Sequence, residues 1–80
     1  MVSGKAEVVT HLGNRISLIF DMVSVDGPRR AGHLRCDTSK FEPTAFLYPL
    51  LLKCEDGTNL DIAVTNQSDR HLSFVGKIAS

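Results

Sequence analysis

The large apolar side chains of this chain keep to even-numbered positions. Between Ala6 and Ile78, the residues Val8, Leu12, Ile16, Leu18, Phe20, Met22, Leu34, Phe46, Leu50, Leu52, Leu60, Ile62, Val64, Leu72, Phe74 and Ile78 fall in short runs. Glu7, His11, Ser17, Asp21, Lys53, Asp61, Ser73 and Lys77 take the alternate places. Successive side chains of an extended chain point to opposite faces, so a period of two means strands with one dry and one wet face. The pattern predicts a single antiparallel all-β domain.

Turn residues divide the pattern into about six strands. Lys5–Leu12 and Arg15–Val25 are joined through Gly13-Asn14, a pair that tolerates the positive φ of a two-residue hairpin turn. Asp26-Gly27-Pro28 ends the second strand, and Ala31–Cys36 returns from it. Leu50–Cys54 and Leu60–Thr65 flank a Glu55–Asn59 loop containing Asp-Gly, and the turn Asn66–Asp69 leads into a last strand, Arg70–Ile78. A meander of this kind closes most naturally into a small barrel or a compact sandwich, which limits exposed edges.

The alternation breaks only between Asp37 and Tyr48. Asp37-Thr38-Ser39 can bond its own backbone, and Pro43 and Pro49 bracket Thr44-Ala45-Phe46-Leu47-Tyr48. A short helix or 3₁₀ turn is expected here between the third and fourth strands, with Phe41, Phe46, Leu47 and Tyr48 as a plug across one end of the sheet. The competing reading is one long strand from Phe46 to Cys54, with Pro49 tolerated at an edge.

Composition narrows the functional classes. Eighty residues with 42% hydrophobic content and no Trp make a core of modest size, leaving on the order of 3–5 kcal/mol of net stability for such a scaffold. Nine basic and nine acidic residues cancel, and no basic run exceeds Arg29-Arg30, so no footprint for nucleic acid stands out. No apolar stretch reaches the roughly 18–20 residues of a membrane-spanning helix, and a cytoplasmic location is the default expectation.

His33, Cys36, Cys54 and His71 are the residue types that tetrahedral zinc prefers, but the alternation turns the cysteines inward and the histidines outward. Neither a metal nor a cofactor is therefore expected, and the cysteines read as reduced core residues; a Cys36–Cys54 disulfide would require their strands to be neighbours. No G-x-S-x-G or H-E-x-x-H is present, so enzymatic activity is not expected either.

Two functional readings remain. Ile19, Val23, Leu51 and Val75 break the parity and, on neighbouring strands, would form an outer aliphatic stripe suited to a protein partner or a homodimer. If instead a curved sandwich buries both faces, no such patch exists. The alternative function is that of a small β-barrel binding an anionic ligand such as a nucleotide, or nucleic acid, through Arg29, Arg30, Arg35, Asn66 and Ser68. Asn66-Gln67-Ser68 resembles the D/N-x-S-x-x-G box of PilZ domains, small β-barrels that bind cyclic dinucleotides with the help of an upstream R-x-x-x-R. His71 stands where that box has Gly, and Arg30 and Arg35 are one residue further apart than the arginine pair. A protein-binding module is the preferred reading.

Overall fold

The computed structural model describes residues 2–79. Six strands form a closed antiparallel barrel: β1 (Val2–Val9), β2 (Arg15–Asp26), β3 (Arg29–Arg35), β4 (Leu50–Cys54), β5 (Asn59–Ser68) and β6 (His71–Ile78). Around the barrel the order is β1-β2-β3-β6-β5-β4. The last join is made by β4 against β1, pairing Ala6 with Cys54, Glu7 with Lys53, Val8 with Leu52 and Val9 with Leu51. Of the two architectures that the alternation allows, the chain adopts the barrel, but not as the expected meander: β3 pairs with β6 and β4 with β1, because the irregular segment after β3 carries the chain across to a strand that is not its neighbour.

The even positions fill the interior. Val8, Leu34, Leu50, Leu52, Leu60, Ile62, Leu72 and Phe74 are fully buried, with Ala6, Ile16, Leu18, Phe20 and Met22 around them. Each large side chain removed from water contributes about 1.5–3 kcal/mol to folding. Leu12 and Ile78 depart from the rule: Leu12 lies beyond the end of β1 in a loop and Ile78 is the last residue of β6, so neither has barrel wall on both sides.

Closing so few strands requires sharp bending, and Gly32 and Gly76 permit it. A Cβ on Gly32 would collide with the backbone oxygen of Asp21 and sit 2.7 Å from the Cα of Met22. One on Gly76 would collide with the backbone oxygen of Asp61 and lie 2.9 Å from the Cα of Ile62. Gly32 pairs with Phe74 and Arg30 with Gly76, so the two glycines form a diagonal across β3 and β6, where the backbones of β2 and β5 come too close for a side chain.

Several boundaries differ from the sequence expectation. The β1–β2 connection is the five-residue segment Thr10–Asn14 rather than a two-residue Gly-Asn turn. Buried Thr10 closes it: its N–H donates to the Asn14 carbonyl (2.9 Å), its carbonyl accepts from Gly13 N–H (2.9 Å) and its hydroxyl accepts from Asn14 N–H (3.2 Å). The β5–β6 turn is only Asp69-Arg70, and Asn66 to Ser68 belong to β5. A register shift between Val64 and Asn66 inserts Thr65 as a bulge, and a second, between Ser24 and Asp26, inserts Val25. Each bulge reverses the parity of the residues beyond it.

Between β3 and β4 the expected turns are present as two 3₁₀ segments, Thr38–Lys40 and Ala45–Leu47. Phe41 and Ala45 enter the core, and the Phe46 ring packs on Phe41 at 5.1 Å between centroids. Leu47 and Tyr48 do not join the plug; they are 76% and 52% exposed. A 3₁₀ turn rotates about 120° per residue, so Leu47 cannot face the same way as Ala45, and Tyr48 is the extended residue that ends the turn and leaves it. No helix among the described residues is long and apolar enough to cross a membrane.

Gly32→Ala is expected to lower the urea-unfolding free energy by about 1–3 kcal/mol through forced displacement of β2. An unchanged midpoint would show that the coil at Gly32 is not required.

Candidate functional site

A bulged antiparallel wall gives the barrel an outer surface of parallel cross-strand rows. One row is aliphatic: Val23 on β2 pairs with Ala31 on β3, Ala31 with Val75 on β6, and Val75 with Ala63 on β5. Val23 and Val75 are each 47% exposed. Of the four residues expected to form the outer stripe, these two are brought together. Ile19 instead lies between Lys5 and Arg35, and Leu51 between Val9 and Asp61, where it is half-buried. Ala31 and Ala63 take their places, because strand stagger decides which odd residues share a row.

Beside the aliphatic row runs a groove of about 580 Å³. Val25, Pro49, Ala63 and Val75 give it apolar walls, and Arg29, Arg30, Lys77 and Asp61 supply its charge. Val25 is available because it is the extra residue of the β2 bulge. Arg29 pairs across strands with Lys77, and Lys77 with Asp61. Arg30 is folded back, its Nη1 donating to the carbonyls of Gly27 (2.8 Å) and Arg29 (2.9 Å). Among the described residues, no carboxylate stands within ion-pair distance of Arg29 or Lys77.

The residues considered for anion binding divide between the two ends of β3. Arg29 and Arg30 line the groove, whereas Arg35 is six residues from Arg29 along the strand, roughly 20 Å in extended chain. Arg35 shares a row with His71 and Ser68, and the next row holds Asp21, His33, Ser73 and Asn66. The Thr65 bulge is what turns Asn66 and Ser68 onto the same face as His71 and Ser73. Arg35 Nη2 is 3.7 Å from Asp21 Oδ2, His33 Nδ1 is 3.3 Å from Ser73 Oγ, and the rings of His33 and His71 lie 4.7 Å apart. Asp21, His33 and Ser73 thus stand side by side on the outer wall, with the aspartate directed to Arg35.

The four metal-type residues do not converge: His33 and His71 meet on the outer wall, whereas Cys54 is buried at the end of β4. Among the described residues no group of three or more His, Cys, Asp or Glu is placed to hold an ion. Cys36 and Cys54 are both free, and β3 and β4, which lead to them, are not neighbours in the barrel, so the disulfide alternative does not apply. Burial, and then the charge of Asp56, push the Cys54 thiol up to about 11. Partial burial and Asp37 raise Cys36 as well, against an opposing pull from Lys40.

A polar cluster that the strand pattern did not reveal secures the end of the barrel. Asn14 Nδ2 donates to Glu42 Oε2 (2.7 Å), His11 Nδ1 lies 3.9 Å from Glu42 Oε1, and the His11 ring stacks on Tyr48 at 4.3 Å. The Glu42 side chain is only 13% exposed, and Oε1 meets no donor at hydrogen-bond distance. Interaction with the Thr10 hydroxyl first, and with the Asn14 amide second, holds the carboxyl below the usual Glu range. The cluster ties the Thr10–Asn14 loop to the 3₁₀ segment. The proximity of Asn14, a turn residue, and Glu42, in the irregular segment, is set by long-range topology and leaves no local sequence signal.

No protein-family model matches the chain, and comparison with curated proteins and with solved structures found no match.

Two outcomes follow. Because the Glu42 carboxyl is held below its ordinary value of 4.5, its contribution is complete above that pH and is lost as pH falls through the lower folded-state value. Glu42→Gln is therefore expected to unfold at lower urea than the wild type at pH 7, with the gap narrowing below about pH 4.5; a constant gap down to pH 3 would contradict this role. Iodoacetamide at pH 8 is expected to label Cys36 well before Cys54 in the folded protein, because only the thiolate reacts. Equal rates would contradict the burial of Cys54.

Proposed function

We propose that this domain is a non-catalytic protein-binding module that works through the outer face of β2, β3, β6 and β5. The observation that carries the reading is the unbroken aliphatic row Val23–Ala31–Val75–Ala63, bordered by a groove with apolar walls. Isolated surface aliphatics are ordinary, but a row that crosses four strands and continues into a concavity is what an interaction surface requires. Closure of the sheet supports the same reading from the other side: strands paired on both flanks have little free edge to offer a partner, which leaves side-chain contact as the route to binding. Self-association and a heterologous partner are both served by such a face.

Photocrosslinking tests the reading by position. A photoreactive residue at Val75 is expected to give one discrete adduct, as a dimer of this chain or as a complex, that is lost in Ala63→Glu. The same group at Ile19 is expected to give none. Equal labelling from both positions, or none from Val75, would overturn the assignment of this face.

A further inference from the structure

Building on that reading, we propose that the groove takes an acidic segment of a partner protein, with apolar side chains against Val25, Val75, Ala63 and Pro49 and carboxylates facing Arg29 and Lys77. Charge complementarity favours this occupant. The whole chain is electrically neutral, yet the groove gathers three cations and one carboxylate: Arg29, Arg30 and Lys77 against Asp61. Two of these cations are direct cross-strand partners, Arg29 on β3 and Lys77 on β6. Like charges at that spacing destabilise a sheet, and the Asp26 and Asp61 pairing partners at the two ends of the row do not come within ion-pair distance of them. An incoming carboxylate placed between the two would relieve the repulsion.

Other concavities on the barrel sharpen the assignment. One of about 510 Å³, lined by Asn14, Arg15, Ile16, Ser17 and Lys40, has mostly polar walls, and its Arg15 already lies 3.5 Å from Glu7. A groove of about 530 Å³ on β1, β2 and β4 carries Lys5 and Lys53 together with Glu7 and Glu55, so its charges cancel and it selects no sign of partner. A second copy of this chain suits the basic groove poorly, because a two-fold contact through the same face would bring two sets of Arg29 and Lys77 together. Nucleic acid lacks its usual platform here, since no aromatic residue lines the groove on which a base could stack.

Fluorescence anisotropy with synthetic peptides of about nine residues tests the proposal. One alternates Glu or Asp with Leu or Val, one carries Lys in place of each acid, and a third scrambles the acidic sequence into separate apolar and acidic blocks. The alternating acidic peptide is expected to bind and to weaken as salt rises from 50 to 500 mM. Arg29→Ala/Lys77→Ala is expected to weaken it about tenfold and to flatten the salt response. Both side chains are exposed, so this variant is expected to fold, and its urea midpoint checks that. Equal affinity for the Lys peptide, for the scrambled peptide or for a single-stranded oligothymidylate of the same charge would overturn the proposal. So would absence of binding to the acidic peptide; in that case concentration-dependent dimerisation abolished by Val75→Glu would leave the interaction face standing, and a monomer at all concentrations with no Val75 adduct would remove both.

Discussion

The pairing of β4 with β1 is the constraint on which the rest of the molecule depends. Only four residue pairs make it, Ala6–Val9 against Cys54–Leu51, yet together with the β3–β6 ladder they join two three-stranded units, β1-β2-β3 and β4-β5-β6, into a tube. An open sheet with this alternation would leave one apolar face to be covered by something else. Closure lets that face cover itself, so that Val8 and Leu52, partners in the closing ladder, are both completely buried. A chain of eighty residues has little apolar surface to spare, and closing the wall on itself is how it excludes water from the inward face of its strands.

The exterior follows from how closure is achieved. Tight coiling demands positions without a Cβ at Gly32 and Gly76, and two bulges to absorb strand curvature. The Val25 bulge and the Gly76 bend both lie along the same groove, which is why the outer wall is concave there. The Thr65 bulge carries Asn66 and Ser68 to the outer surface beside His71 and Ser73. The features that make the barrel small therefore also decide where its surface can receive a partner, and which charges stand at that place.

Strand character and interior were legible because they rest on a local rule: Leu50–Cys54 shows its inward and outward residues without reference to any other part of the chain. The 3₁₀ segment was legible for a similar reason, in Asp37 capping Ser39 and in the prolines that bracket Ala45–Leu47. Rows on the outer face were not. Ile19 and Val23 sit on one strand with the same parity, but whether either meets Val75 depends on stagger between strands distant in sequence. Bulges at Val25 and Thr65 are equally silent, since one extra residue in a polar or aliphatic run leaves no mark on composition. Glu42 finds Asn14 and His11 only because closure brings the β1–β2 loop over the 3₁₀ segment.

Solution NMR of the strands that close the barrel tests this account most directly. Interstrand nuclear Overhauser contacts between Ala6–Val9 and Leu51–Cys54, with amide exchange in both segments as slow as in β3 and β6, are the expected result. Absence of those contacts, with β1 and β4 exchanging as two free edges and Leu18, Leu52, Ile62 and Phe74 reached by water, would contradict it.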